Sequence, residues 1–172
     1  MKKFLLAIAL LVITIVGCSN SSSTDNTTPV EVVFDVKPFA GISSQELIEK
    51  MGEPESTEDW NYESAGLTYP ITTYLYNDRH VEFLLNNDKV MRISVFADSY
   101  FDLEGSQFSF TSKDDILEMF GLTENDVKYA KKTDTNSALR YENFGNIRSF
   151  WIPSYEDNAF DEVKVDFSDL FL

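Results

Sequence analysis

Cysteine and histidine are nearly absent from this chain of 172 residues, which has one of each. A single cysteine excludes an internal disulfide framework and a four-cysteine zinc site, and a single histidine excludes a metal site built on two imidazoles. Basic residues are also scarce, since 14 lysines and arginines stand against 29 acids and the formal net charge is −15. We therefore expect no nucleic-acid partner, because phosphate binding requires clustered lysine and arginine.

The sequence also lacks the motifs of common enzymes. Its seven glycines form no phosphate-binding loop, and the only imidazole, His80, has no serine or cysteine close to it in sequence. Asp134-Thr135-Asn136 begins like a calcium-binding loop, but Ala138 stands where the third oxygen ligand should be. We expect no catalytic residue, no cofactor and no metal site, and the many acids are interpreted as a solvated surface.

The N-terminus carries the features of an export signal. Two lysines at positions 2 and 3 precede an apolar run over residues 4–16, which is shorter than the ~20 residues of a membrane span. Ile15-Val16-Gly17-Cys18 follows and resembles the lipobox of bacterial lipoproteins. The resemblance implies that residues 1–17 are a signal peptide and that Cys18 carries lipid as the first residue of the mature protein.

Residues 19–29 consist almost entirely of serine, threonine, asparagine and aspartate. Such a segment predicts a flexible tether, so that residues 18–30 would join the lipidated cysteine to a folded domain. The expected location is the extracytoplasmic face of the bacterial membrane, with the lipid on Cys18 as the membrane attachment.

Two segments 69 residues apart match in start, apolar face and end. Residues 43–52 and 112–121 both open with serine, place an acid three residues later and end at glycine. This is the pattern of a capping box followed by a left-handed C-terminal glycine, and it predicts two short helices. Thr123 and Asp126 predict the N-terminus of a further short helix.

Each of these segments precedes runs rich in β-branched and aromatic residues, separated by turn residues. The predicted strands cover residues 72–76, 80–85 and 90–96 in one half of the chain and 139–142, 147–152 and 162–167 in the other. The expected class is α+β, with two tandem repeats at residues 31–98 and 99–172. Each repeat is a short helix or helical pair packed on an antiparallel meander.

Period-two alternation assigns the faces of these strands. Side chains such as Phe83 and Phe150 are expected to face the helices, and their neighbours along each strand are expected to face away. Five apolar residues fall on the outward face and form the predicted partner surface: Leu75, Leu84, Phe96, Ile147 and Trp151. Two alternatives stay open here: the repeats could pack on each other and bury these side chains, or a slipped register could reverse the assignment.

A set of residues in the first repeat resembles a small bacterial family. It comprises Gly41-Ile42-Ser43, Leu47, Met51-Gly52-Glu53-Pro54, Tyr76, Phe83, Val90 and Ile93. The pattern is similar to that of the SmpA/OmlA outer-membrane assembly lipoproteins and the β-lactamase inhibitory protein. The resemblance implies repeats in which a helical pair packs on an antiparallel sheet, and proteins that bind other proteins without being enzymes. The second copy departs from it, since no proline follows Gly121.

The function expected from these features is a lipid-anchored protein-binding module without catalytic activity. A structural or assembly component of the cell envelope is an alternative, and a carboxylate-based hydrolase or sugar-binding protein is a third class. Paired carboxylates of raised pKa in a deep cleft would favour that third class.

Overall fold

The computed structural model describes residues 29–101 and 105–172. The signal peptide, Cys18 and most of the tether lie outside these described residues. No helix within them is long and apolar enough to cross a membrane.

Short helices and ten strands make up the described chain. A 3₁₀ turn at Lys37–Phe39 precedes the four helices α1 (Ser44–Met51), α2 (Asp98–Phe101), α3 (Lys113–Met119) and α4 (Glu124–Val127). The strands are β1 (Ser56–Ser64), β2 (Leu67–Tyr76), β3 (Val81–Asn86), β4 (Lys89–Phe96), β5 (Phe108–Ser109), β6 (Lys131–Asp134), β7 (Leu139–Phe144), β8 (Ile147–Ile152), β9 (Ala159–Phe160) and β10 (Glu162–Asp166).

Eight strands form one antiparallel sheet, in the order β1-β2-β3-β4-β10-β8-β7-β6. The remaining pair, β5 and β9, forms a separate two-stranded sheet. The α+β class expected from the sequence is confirmed. The β4–β10 pairing joins the strands of the two halves of the chain edge to edge, so that they share one sheet.

The helices begin where the sequence predicts. Ser43, Ser112 and Thr123 each cap a helix in a complete capping box, in which the side-chain oxygen and an acid three residues on satisfy backbone N–H groups. The glycines after α1 and α3 have φ of 84° and 70° at Gly52 and Gly121. At Gly121 a side chain would also collide with Asp35.

All six predicted strands are present; β2 begins five residues before its predicted start at residue 72, and the other ends differ by at most two residues. Two strands at the edges of the sheet were not predicted, β1 and β6, because their residues are mostly polar and exposed. The segment Phe34-Asp35-Val36 connects the two halves and forms no strand. Its backbone N–H groups at positions 34 and 36 donate to the carbonyls of Met119 and Phe120 at the end of α3.

Helices α1, α3 and α4 cover one face of the sheet and form the core with it. Phe83 is fully buried, and its ring lies 5.1 Å from Phe39 and 5.7 Å from Tyr76, measured between centroids. The same buried cluster includes Phe120 and Phe150 from the other half of the chain. One continuous core therefore runs under both halves, and the predicted division between residues 98 and 99 stays a prediction.

Candidate protein interface

The sheet has a second face, directed away from α1, α3 and α4, which we call the open face. It carries the side chains that alternate with the core residues along each strand. Glu82, for example, precedes buried Phe83 on β3 and lies opposite Ser94 of β4, which in turn lies opposite Lys164 of β10. The face assignment made by period-two alternation is confirmed for Glu82, Phe83 and Ser94, but a register shift between Leu84 and Leu85 puts Val90 rather than Met91 in the core.

A groove of about 460 Å³ lies on the open face. Residues of five strands, together with one residue of α2, line it: Glu58, Trp60, Thr73, Glu82, Leu84, Arg92, Ser94, Phe96, Tyr100, Glu162 and Lys164. This lining combines aromatic rings with carboxylates and two cations, a composition suited to contact with another molecule.

Two exposed aromatic residues form walls of the groove. Trp60 on the edge strand β1 is 41% exposed, and its indole N–H donates to Thr73 Oγ1 at 2.9 Å. Tyr100 on α2 is 53% exposed, and its ring lies 4.3 Å from that of Phe96. Both aromatic surfaces are therefore held in place and open to solvent.

An ion pair between Arg92 and Asp166 lies beside the groove. The Nε–Oδ1 distance is 2.6 Å, and the Asp166 side chain is only 1% exposed. Its second oxygen, Oδ2, is buried and accepts no hydrogen bond from any described residue. Burial raises the pKa of Asp166 above its ordinary value, although the hydrogen bond from Arg92 opposes the shift.

The C-terminal residues cover part of the open face next to this pair. The ring of Phe171 lies 4.5 Å from the Arg92 guanidinium carbon, and Arg92 also donates to the Phe171 carbonyl oxygen. On its other side Phe171 packs 5.0 Å from the ring of Tyr62. The tail thereby shields the Arg92–Asp166 pair from solvent.

Glu82 differs from the other charged residues that line the groove. Its side chain forms no hydrogen bond or ion pair with any described residue, whereas Lys164 pairs with Glu162 at 3.1 Å. Burial, and to a smaller extent the charge of Glu162, raises the pKa of Glu82, while Lys164 and Arg92 partly oppose the shift.

Trp151 lies on the same face outside the groove lining and is half-buried. Its ring has two cations within reach, with Arg140 Cζ 5.6 Å and Lys164 Nζ 5.7 Å from the centroid. These cation–π contacts hold the ring against the sheet and leave part of it accessible.

The other four predicted surface residues are buried, so the expectation that they are exposed is wrong; three of them lie on the open face. Leu75, Leu84 and Phe96 are only 3%, 6% and 8% exposed, because neighbouring side chains of a strand-paired sheet cover them. Leu84 and Phe96 still line the groove, so their contact with a partner stays a prediction.

Ile147 lies in the main core rather than on the open face. Asn143 has φ of 61°. It is not paired with Arg148, although the residues on either side of it are paired between β7 and β8. This left-handed residue interrupts the alternation, so that Ile147 and Phe144 at the hairpin end both belong to the buried cluster.

Sequence reasoning missed Trp60, Tyr100 and Glu82 as groove residues. Trp60 and Tyr62 alternate with polar residues on β1 and precede the left-handed pair Ala65-Gly66, which is a detectable hairpin signal. Tyr100 follows Phe96 by four residues, and the turn of α2 brings the two rings together, but no motif in the sequence predicted α2.

The described residues contain no group of three or more histidine, cysteine, aspartate or glutamate side chains arranged to hold a metal ion. The single imidazole is occupied by structural contacts. His80 Nδ1 lies 2.7 Å from the Asn77 carbonyl oxygen, and Nε2 lies 3.0 Å from Asp98 Oδ1. This arrangement ties the β2–β3 turn to the start of α2.

No known protein family matches the sequence, and no curated protein matches it. Among solved structures, the chain is similar to an extracellular protein containing a SCP domain from Bacillus anthracis str. Ames. The identity is 16% and the TM-score is 0.41, with 92% of this chain and 51% of that chain covered. The chain thus spans about half the length of that protein.

Proposed function

We propose that this protein is a lipid-anchored, extracytoplasmic protein-binding module that contacts its partner with the open face and has no catalytic activity. The observation that carries the proposal is the groove with its two exposed aromatic walls, Trp60 and Tyr100. Tryptophan and tyrosine are enriched at the energetic centres of protein interfaces. Polar and charged side chains around them match the usual rim of such an interface.

The proposed architecture is two tandem repeats, at residues 31–98 and 99–172. The mirrored strand order about the β4–β10 junction and the capping boxes at Ser43 and Ser112 support it. The relationship to the SmpA/OmlA lipoproteins and the β-lactamase inhibitory protein belongs to the same proposal and rests on the sequence resemblance.

The proposed anchor rests on the sequence of residues 15–18. Cys18→Ala should leave the protein unprocessed or release it from the membrane fraction, because no described helix could hold it there. Fractionation of cells expressing the variant tests this. Co-sedimentation with lipid of a variant from which residues 1–17 have been cleaved would contradict the lipoprotein assignment.

Site-specific photo-crosslinking on intact cells tests the open face. A photoreactive phenylalanine analogue at Tyr100 should give a discrete adduct, and the same analogue at Tyr129 should not. Tyr129 is a suitable control because it is 89% exposed and lies outside the groove lining. Trp60→Ala should abolish the adduct. Equal adducts from both positions would contradict the proposal.

One observation favours a carboxylate-based hydrolase or sugar-binding protein as a second candidate. Glu82 has a raised pKa in a groove that also contains Glu162 and exposed aromatic rings. Saturable binding of soluble oligosaccharides that shifts the fluorescence of Trp60, in a variant with Trp151→Phe, would support this candidate. An envelope assembly role uses the same surface and would give stable co-purification from membranes.

A further inference from the structure

We propose that the groove receives a basic side chain, an arginine or lysine, presented by the protein partner. The inference rests on the proposed function of the open face as a protein-binding surface, and it specifies the chemistry of the partner group. Three features of the groove support it: its charge, its aromatic walls and the position of Glu82.

The charges that line the groove leave one carboxylate without a direct partner. Arg92 already pairs with Asp166 at 2.6 Å and Lys164 with Glu162 at 3.1 Å. The Glu82 carboxylate has no ion pair and no hydrogen bond within the described chain. Because both cations have carboxylate partners of their own, a cation from outside is the group that Glu82 lacks.

Glu58 adds a further negative charge at the same groove. Its partner, Arg79, is 4.0 Å away, and both side chains are 59% exposed. Such an exposed pair contributes little in water, so Glu58 is available to an incoming cation as well. The chain as a whole, at a formal net charge of −15, attracts a basic partner over longer range.

The aromatic walls suit a cationic side chain with a long apolar stem. Trp60, Phe96 and Tyr100 all line the groove, and Leu84 lies with them. A guanidinium or ammonium stacks on such rings through cation–π attraction, and its methylene stem packs on the apolar floor. Arginine fits best, because its planar group stacks and donates to a carboxylate at the same time.

Other partner groups fit the groove less well. A phosphate or carboxylate would be repelled by Glu58, Glu82 and Glu162. An apolar side chain would cover Glu82 without pairing it, and a buried unpaired carboxylate is strongly unfavourable. The raised pKa of Glu82 agrees with this reasoning, since its carboxylate is partly desolvated before any partner arrives.

Titration of the full chain with the peptides Ac-Gly-Arg-Gly-NH2 and Ac-Gly-citrulline-Gly-NH2 tests the proposal. Citrulline keeps the shape of arginine without its charge. The arginine peptide should bind saturably and shift the Trp60 indole signal in ¹H–¹⁵N NMR spectra, whereas the citrulline peptide should not. Glu82→Gln should weaken binding by about tenfold, as expected for loss of a charge-assisted hydrogen bond.

Glu118→Gln is the matched control, since it removes the same charge from helix α3 on the other side of the sheet. It should leave the affinity unchanged. Equal binding of the two peptides, or equal losses in Glu82→Gln and Glu118→Gln, would overturn the proposal.

The two proposals fail in different ways. If the photo-adduct at position 100 depends on Trp60 but not on Glu82, the protein-binding function stands and the basic side chain is wrong. If no adduct forms at position 100 although the arginine peptide binds through Glu82, the protein partner on the open face is wrong.

Discussion

Phe83 offers the sharpest test of the fold, because its neighbour Glu82 lies on the opposite face of the same strand. Phe83 is 0% exposed and packs between three aromatic rings, those of Phe34, Phe39 and Tyr76. Phe83→Ala removes these contacts and leaves a cavity that rigid strands and helices cannot close.

The expected loss for a buried Phe→Ala change is ~3–5 kcal/mol. The loss for Phe83→Ala should lie toward the upper end of this range, since aromatic pairs add roughly 0.5–1.5 kcal/mol beyond burial. A domain of this size has a free energy of unfolding of about 5–15 kcal/mol and loses ~2–4 °C of Tm per kcal/mol. We therefore expect Tm to fall by about 10–20 °C.

Thermal and urea unfolding of the full-length chain, followed by near-UV circular dichroism, measures the effect. Phe83→Leu should recover most of the loss because it refills the site with apolar volume. Glu82→Ala should change the free energy of unfolding by less than ~1 kcal/mol. If Glu82→Ala were as damaging as Phe83→Ala, the strand register and the open face would both be wrong.

Three further predictions concern stability. Gly121→Ala should lower Tm more than Gly145→Ala, because both positions have positive φ but only Gly121 lacks room for a Cβ; equal shifts in calorimetry would show that the clash relaxes. Arg92→Met should cost ~3–5 kcal/mol at neutral pH by leaving Asp166 buried without its partner, and replacing both with apolar residues should recover stability in urea titrations; a double variant no more stable than Arg92→Met would argue against this. Glu82→Gln should stabilise the protein at neutral pH. The pKa of Glu82 is higher in the folded than in the unfolded protein, so the native protein loses stability as the pH rises from the unfolded-state pKa through the folded-state pKa, and glutamine does not ionise. That advantage should vanish below about pH 4, and a pH-independent difference would exclude titration of Glu82 as its cause.

The local features of this protein could be predicted because their causes lie within a few residues. A capping box needs only a serine or threonine and an acid three residues later, so the N-termini at Ser43, Ser112 and Thr123 follow from the sequence. Period-two alternation likewise separates Phe83 from Glu82, since the pleat of a strand is a property of the backbone. The α+β class follows from these elements together.

The candidate site depended instead on contacts between residues distant in sequence. Alternation placed Leu84 and Phe96 on the correct face, but their burial depends on the side chains that neighbouring strands bring beside them. Ile147 was misplaced because one left-handed residue, Asn143, interrupts the alternation near the hairpin end.

The edge strands and the groove show where local sequence features stop being sufficient and contacts between distant residues decide the structure. Strand β1 is mostly polar and pairs with β2 along its whole length, and the alternation of Trp60 and Tyr62 is its one local signal. Trp60, Glu82 and Tyr100 then meet only because the sheet and α2 bring their elements together. Sequence alone thus determined the caps, the alternation and the class, which are set by short-range sterics and hydrogen bonds. The tertiary structure decided which side chains remain accessible, because burial depends on every element that packs nearby.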